Sequence, residues 1–132
     1  MSTYMMEIKK RQSIVFDLDD TICFPNHSAK DTQTKYGEAK PNQEIIDRMQ
    51  GLRNHGYYII IHSARRMLTH AGDLNKILDD VYDVTVNWLD NNFVPYDELI
   101  FGKPYANTYY VDDKAMNLDM FKEWADDELR YW

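Results

Sequence analysis

The chain has 132 residues, 44% of them apolar, and a formal net charge of -7. This length predicts one domain with its own core, and the excess of acids argues against duplex nucleic acid and anionic membranes as general partners. The single cysteine, Cys23, excludes an intrachain disulfide and a zinc site made of several thiolates. No apolar run approaches the ~18 residues of a membrane span, and the first residues are too polar for a signal peptide. We therefore expect a cytoplasmic protein in which 1–12 is an N-terminal extension and 13–132 a single domain.

The first half of the chain predicts two strands around one helix. Residues 14–16 are an apolar run that ends in acids, which is typical of a buried parallel strand. Residues 22–40 are a long, polar, turn-rich connection, and such connections are often lids or binding loops. Helical spacing of apolar residues then predicts a helix that starts with Pro41 in its first turn and ends at Gly56. Residues 57–61 predict a second buried strand.

The second half continues this alternation. Apolar residues three to four apart predict a helix over 73–91, broken near Asp83. Residues 98–101 and 109–111 predict a third and a fourth strand, and Asn117 is placed to cap a final amphipathic helix. Strands alternating with helices predict the α/β class, with a Rossmann-like three-layer α/β/α architecture and a mainly parallel sheet.

Polar side chains follow each predicted strand. In order along the chain they are Asp17 and Asp19, His62 and Ser63, Lys103, and Asp112 with Asp113. The carboxyl ends of parallel strands share one edge of the sheet, where ligands bind. Carboxylates on neighbouring strands, ~5 Å apart, repel by about 3 kcal/mol at an effective dielectric near 20, so such a cluster needs a cation or a proton. Oxygen ligands without paired His or Cys favour a hard cation, and Mg²⁺ is the common partner of carboxylates and phosphate.

These residue types also fit phosphoryl transfer. A carboxylate can attack phosphorus and form an aspartyl phosphate. Ser63 could donate a hydrogen bond to a phosphate oxygen, and Lys103 could supply positive charge to it. Taken singly, each piece has an ordinary alternative: acids cap helices or lie in surface loops, serine forms turns, and lysine is solvated. Their position at four successive strand ends favours function.

The same segments resemble the four motifs of the haloacid dehalogenase (HAD) superfamily of phosphohydrolases. The resemblance runs from Ser13 to Phe121, through the segments 14–21, 59–63, 102–104 and 110–113. Three stretches, 39–42, 88–98 and 102–104, are also similar to the capsule-biosynthesis phosphatase subfamily.

The resemblance implies a magnesium-dependent phosphomonoester hydrolase. Asp17 would attack phosphorus and bind the metal through its other oxygen. Asp19 would protonate the leaving group, then activate the hydrolytic water, and bind the metal through its backbone carbonyl. Asp112 would be a further metal ligand, and Asp113 would hold a metal-bound water or Lys103.

One residue departs from the family pattern. Asp20 stands where family members usually have glycine after the second aspartate. Its side chain adds negative charge near Asp17 and leaves the metal affinity and the local backbone open.

The spacing of the motifs leaves no room for a separate cap domain, so we expect an open site, or one covered by the 22–40 loop or by a second subunit of a homo-oligomer. Tyr131 and Trp132 fit such a subunit contact or the core. Candidate substrate contacts are Arg65 and Lys40. The expected substrate is a small phosphorylated metabolite, a sugar or polyol phosphate of surface-polysaccharide biosynthesis. Alternatives are a nucleotide or polynucleotide 3′-phosphatase and, from another class, a receiver-like phospho-signalling domain or an inactive phosphate binder.

Overall fold

The computed structural model describes residues 3–130. Tyr131 and Trp132, for which a subunit or core contact is predicted, lie outside the described residues. The elements, in chain order, are α1 (Thr3–Lys10), β1 (Ser13–Asp17), β2 (Cys23–Phe24), α2 (Thr32–Gly37), β3 (Lys40–Pro41), α3 (Gln43–Asn54), β4 (Tyr58–Ser63), α4 (Leu74–Asn91), β5 (Glu98–Phe101) and α5 (Leu118–Arg130).

The central sheet has three parallel strands in the order β1-β4-β5. Asp17 lies opposite His62, and Ser63 lies opposite Phe101, so all three strands end at one edge. This sheet and its flanking helices confirm the α/β class and are consistent with a Rossmann-like fold. The predicted strands over 14–16, 57–61 and 98–101 correspond to β1, β4 and β5.

One face of the sheet packs against α3 and α5. Phe16 of β1 meets Phe121 of α5 edge to face, with the ring centroids 5.2 Å apart. Trp124 packs edge-on against Tyr57 at 6.0 Å. The apolar stripe of α5 is therefore used by the core, and Asn117 caps this helix, its Oδ1 accepting the Met120 N–H at 2.9 Å.

The helix after the loop begins later than predicted. Pro41 belongs to β3, and α3 starts at Gln43. Asn42 precedes that start, and its side-chain amide donates to the carbonyl of Thr21 at 3.0 Å, which ties the helix entry to the loop after β1. The predicted end is confirmed, because Gly56 follows α3 with φ +94°, a conformation that glycine adopts without strain.

Helix α4 is continuous through Asp83, where a break was expected. Its buried stripe runs without interruption along Ile77, Val81, Val84 and Trp88, so packing holds the helix together across the exposed Asp83. The Trp88 indole N–H donates to the Ala39 carbonyl at 2.8 Å and anchors α4 to the segment before β3.

The prediction of a fourth strand over 109–111 is wrong. These residues have no strand assignment, and Val111 is 99% exposed. The physical reason is local bonding: the Tyr110 hydroxyl donates to the Pro104 carbonyl and accepts the Ala106 N–H. The segment therefore closes on itself beside β5 and does not pair with the sheet.

Strand β1 is consequently an edge strand in the described structure. Val15, on the face opposite Phe16, is 59% exposed. The sheet thus offers unpaired backbone groups and an uncovered apolar side chain directly before Asp17. Within residues 3–130, no helix is both long and apolar enough to cross a membrane.

The Phe16–Phe121 contact predicts a large loss of stability on truncation. Phe121→Ala removes a ring that is 7% exposed and should lower the free energy of unfolding by about 3–5 kcal/mol, because it leaves a cavity next to β1. Met120→Ala, on the exposed side of the same helix, should change it by no more than about 0.5 kcal/mol. Urea unfolding followed by circular dichroism measures both, and equal losses would contradict this packing.

Candidate active site

A cavity of about 390 Å³ lies at the carboxyl edge of the sheet. It is lined by residues from the loop after β1, from α2, from the segment after β4 and from the segment after β5. Four of the predicted site residues contribute to its wall: Asp17, Asp19, Arg65 and Lys103. The volume is in the range of pockets that hold small molecules.

Asp17 and Lys103 meet at this edge although 86 residues separate them in the chain. Lys103 Nζ lies 3.2 Å from Asp17 Oδ1, and the Thr21 hydroxyl donates to Asp17 Oδ2 at 3.2 Å. Gly102, with φ +93°, turns the chain out of β5, and the Lys103 backbone N–H donates to the Ser63 carbonyl at 3.1 Å. Asp17 therefore has one oxygen against an ammonium group and remains 39% exposed to the cavity.

Asp19 is held by Arg65. The guanidinium Nε lies 3.1 Å and 3.0 Å from the two carboxylate oxygens, and Nη2 lies 2.8 Å from Oδ1. The Arg65 side chain is 0% exposed, whereas that of Asp19 is 27% exposed. The donors of Arg65 are thus already bound inside the protein, and a contact between Arg65 and a substrate, which stays a prediction, would require breaking these bonds.

Three further groups surround the Arg65 guanidinium. Nη1 donates to the Thr85 hydroxyl at 2.8 Å, the carbon of the guanidinium lies 4.1 Å from the centroid of the Tyr36 ring, and Nη2 lies 3.5 Å from Cys23 Sγ. Burial, and then the nearby Asp19 carboxylate, raise the pKa of Cys23 to about 12. The same two causes, in the same order, raise the pKa of Tyr36. Both groups therefore stay neutral beside the ion pair at physiological pH.

Ser63 lies at the end of β4 and is 1% exposed. Its Oγ accepts the backbone N–H of Arg65 at 3.0 Å, which leaves the hydroxyl hydrogen as a donor. This bond fixes the direction in which the chain leaves β4 towards Arg65.

Asp112 and Asp113 do not join this group. Both are exposed, neither lines the cavity, and Asp112 Oδ1 accepts the Lys114 N–H at 2.9 Å. That bond, followed by one with Asp113, lowers the pKa of Asp112. The cause of the separation is the missing fourth strand, which should have carried both acids to the sheet edge.

The residues in this arrangement do not fit a magnesium ion. The Asp17 carboxylate is bound by Lys103 and Thr21, and neither Asp112 nor Asp113 lines the cavity beside it. Among the residues that the structure describes, no group of three or more His, Cys, Asp or Glu side chains is placed to hold a metal. The predicted set Asp17, Asp19, Asp112 and Asp113 is therefore not assembled.

Lys40, the second predicted substrate contact, does not line the cavity. It belongs to β3, where it pairs with Phe24, and is exposed. The cations that line the cavity beside Lys103 and Arg65 are Lys35 and Arg66. Arg66 donates to Asp80 at 2.7 Å, whereas no ion pair is found for Lys35 within the described part of the chain.

Asp20 adopts the left-handed conformation, with φ +63°. Its N–H donates to the Cys23 carbonyl at 2.7 Å and closes the turn after β1. Glycine adopts this conformation freely, and aspartate tolerates it better than most residues, at a cost on the order of 1 kcal/mol. The Asp20 side chain is 65% exposed and points to His27, 3.4 Å away, so the turn keeps its shape without glycine.

Sequence reasoning missed the group that binds Arg65. Thr85 lies in the middle of α4, and its bond to Arg65 joins residues 20 positions apart in the chain. Cys23 was considered only as a lone thiol, and Asp80 was not considered. The polar Thr85 within the buried stripe of α4 is the one sequence signal that a hydrogen-bonding partner was required.

A scan against models of known protein families finds no match, and a search of curated proteins finds none either. The fold does resemble solved structures. The crystal structure of a Vibrio cholerae protein, an MCSG target, aligns with a TM-score of 0.71 and 29% identity over 89% of this chain and 99% of that chain. A chain of the Pnkp1/Rnl/Hen1 complex aligns with a TM-score of 0.53 and 19% identity, over 89% of this chain and 33% of that chain.

These similarities establish the fold class that the sheet and helices define. The Vibrio cholerae chain is matched over 99% of the residues in its crystal structure, at 29% identity. The second alignment covers about a third of the other chain and, at 19% identity, supports the fold alone.

Proposed function

We propose that this chain is a phosphomonoester hydrolase that forms an aspartyl phosphate on Asp17. The observation that carries the proposal is the contact between Asp17 and Lys103, 3.2 Å apart, in a cavity at the carboxyl edge of a parallel sheet. A carboxylate can act as a nucleophile towards phosphorus, and an ammonium group beside it stabilises the charge of the transferring phosphoryl group. The resemblance of the strand-end segments to HAD phosphohydrolases supports the same chemistry.

In the proposed reaction, Asp17 Oδ2 or Oδ1 attacks phosphorus, and the bond from phosphorus to the leaving oxygen breaks. Lys103 stays beside the phosphoryl oxygens. Ser63 is 1% exposed and does not line the cavity, and its Oγ holds the backbone N–H of Arg65. Asp19 gives a proton to the leaving oxygen. Water then attacks phosphorus, Asp19 takes a proton from that water, and the bond between phosphorus and Asp17 breaks, which releases inorganic phosphate.

The proposed substrate is a small phosphorylated metabolite. A cavity of about 390 Å³ suits a molecule of monosaccharide size, and the similarity to capsule-biosynthesis phosphatases favours a sugar or polyol phosphate. A nucleotide 3′-phosphate is the second candidate, because the exposed rings of Tyr105 and Tyr110 line the same cavity and could stack on a base.

A receiver-like role is less well supported. In a receiver, the phosphorylated aspartate ends a middle strand, and the paired acids end the first strand. Here the middle strand β4 ends in His62 and Ser63, and the candidate nucleophile Asp17 ends the edge strand β1. Turnover of a phosphate ester distinguishes a phosphatase from a receiver or an inactive binder.

Asp17→Asn should lower the turnover of a generic aryl phosphate by a factor of ~10³ or more, because the amide cannot form the covalent intermediate. The melting temperature should change little, since Asp17 is partly exposed. Asp119→Asn is the matched control, with a carboxylate that is 95% exposed outside the cavity, and it should keep wild-type turnover. Retained turnover in Asp17→Asn would exclude Asp17 as the nucleophile.

Lys35 is the proposed contact for an anionic substrate, in place of Lys40 and Arg65. Lys35→Ala should raise KM about fivefold with kcat nearly unchanged, because removing one half-buried cation from the cavity wall weakens binding of substrate and transition state alike. Lys40→Ala removes the same charge from the surface outside the cavity and should leave both constants within about twofold of wild type. Equal increases in KM for the two variants would show a general charge effect and reject this assignment.

A magnesium site at Asp17 would require residues 109–113 to move from their described position. The free edge of β1 can accept a parallel strand about 4.8 Å away, and such pairing would bury the exposed side chains of Val15 and Val111. It would also bring Asp112 to the strand end that carries Asp17. Asp17 and Asp112 would then repel each other unless a cation lay between them. We propose that Mg²⁺ binds both acids and thereby favours pairing of 109–111 with β1.

Saturating Mg²⁺ should then raise the melting temperature, since a ligand at a hundredfold excess over Kd contributes about 2.7 kcal/mol. Asp112→Asn should abolish that rise. It should leave the melting temperature measured without Mg²⁺ unchanged, because the Asp112 side chain is exposed in the described structure. Asp119→Asn should keep the rise. Hydrogen exchange at the amides of 14–17 should slow on addition of Mg²⁺, and no change in either measurement in the wild type rejects the magnesium proposal.

A further inference from the structure

The buried Arg65 side chain is the strongest feature that the proposed reaction does not use. It lies between β1, β4, α2 and α4, and its partners are Asp19, Thr85, Tyr36 and Cys23. An arginine whose side chain is 0% exposed is rare in a protein interior unless its donors are satisfied, and here they bind a carboxylate that reaches the cavity.

We propose that Arg65 is a positioning residue that sets the orientation of the Asp19 carboxylate for the hydrolytic half of the reaction. This inference rests on the proposed function. In this proposal Arg65 does not contact the substrate but orients Asp19. One oxygen of the Asp19 carboxylate is held by Arg65, and the other exchanges protons in the cavity.

The contacts on the two oxygens of Asp19 are unequal. Oδ1 receives Arg65 Nη2 at 2.8 Å, Arg65 Nε at 3.1 Å and Cys23 Sγ at 3.4 Å. Among the described residues, Oδ2 receives only Arg65 Nε, at 3.0 Å, and this single N–H is shared with Oδ1. Since a carboxylate oxygen has two lone pairs, Oδ1 is fully used and Oδ2 keeps acceptor capacity. Oδ2 is therefore the oxygen that exchanges protons in the cavity.

The guanidinium is itself fixed, so the carboxylate cannot rotate freely. Thr85 holds Nη1 at 2.8 Å, and the Tyr36 ring covers the guanidinium plane at 4.1 Å. The Arg65 backbone N–H is bound by Ser63 Oγ, which connects the same residue to the end of β4. A bidentate arginine fork gives a fixed geometry that a lysine ammonium cannot reproduce.

The ion-paired state corresponds to Asp19 after it has given its proton to the leaving group. In the next step the oxygen of water forms a bond to phosphorus, Oδ2 of Asp19 takes one proton of that water, and the electrons of the breaking P–O bond return to Asp17. The products are free Asp17, inorganic phosphate and protonated Asp19, which is the acid that the next turnover needs. Arg65 forms no bond to any reacting atom.

An aryl phosphate with an acidic phenol isolates this half of the reaction, because its leaving group needs no proton. In stopped-flow experiments with 2,4-dinitrophenyl phosphate, Arg65→Met should keep a burst of about one phenolate per enzyme, while its steady-state rate falls ~10²-fold. Mass spectrometry of acid-quenched samples should find the phosphoenzyme during turnover. The proposal would be overturned if the burst amplitude and the steady-state rate fell by the same factor, or if neither of them fell.

The partner variants separate positioning from a loss of structure. Asp19→Asn should show the same burst and slow steady state, and adding Arg65→Met to it should cause less than a twofold further loss. Arg65→Lys keeps the charge without the fork and should recover less than a tenth of the wild-type steady-state rate. Additive losses in the double variant would overturn the proposal.

Thr85→Val provides a test if Arg65→Met does not fold. It removes one bond to the guanidinium and should slow the steady state about fivefold while keeping the burst; an unchanged steady state would count against positioning. Added guanidinium chloride at millimolar concentration should speed up Arg65→Met but not Arg65→Met with Asp19→Asn. If the wild type does not hydrolyse the ester, or if Asp17→Asn still does, the proposed function fails first, and that outcome is distinct from failure of the Arg65 assignment.

Discussion

The ion pair between Arg65 and Asp19 joins the parts of the chain that form the cavity. Asp19 belongs to the turn after β1, Arg65 follows β4, and Thr85 and Tyr36 bring α4 and α2 to the same point. A buried guanidinium that loses one of these partners keeps the cost of its desolvation, so the four segments are energetically coupled. The width of the cavity and the orientation of Asp19 both follow from this arrangement.

The second constraint is the unpaired edge of β1. The sheet has three strands, and the segment that should extend it, 109–111, is held in a local loop by Tyr110. A pair of exposed valines, Val15 and Val111, marks the surfaces that pairing would bury. The division of the acids into a cavity group and an exposed group thus follows from the absence of this strand pairing in the described structure.

Asp17 and Ser63 lie at the ends of β1 and β4, which strand register holds side by side, and Lys103 follows β5 by two residues. Lys103 reaches both of them, through its side chain to Asp17 and through its backbone N–H to the Ser63 carbonyl. Asp17 and Lys103 form one part of the cavity wall, and the cations Lys35 and Arg66, on α2 and on the segment after β4, form another. The same fold is found in the Vibrio cholerae protein, which aligns over 99% of the chain in its crystal structure.

The sequence alone determined the class of fold, the three paired strands and the meeting of Asp17 with Lys103. Those features depend on apolar periodicity and on the rule that parallel strands end at a common edge, both of which are local or general. Only the tertiary structure decided the partners of Arg65, the position of Lys40 outside the cavity lining and the separation of Asp112 from Asp17. These features depend on contacts made in three dimensions. Arg65 binds Asp19 and Thr85, and the Tyr110 hydroxyl binds the Pro104 carbonyl while 109–111 stays unpaired with β1. No pattern along the chain encodes such a competition, because its outcome depends on small differences between contacts of similar energy.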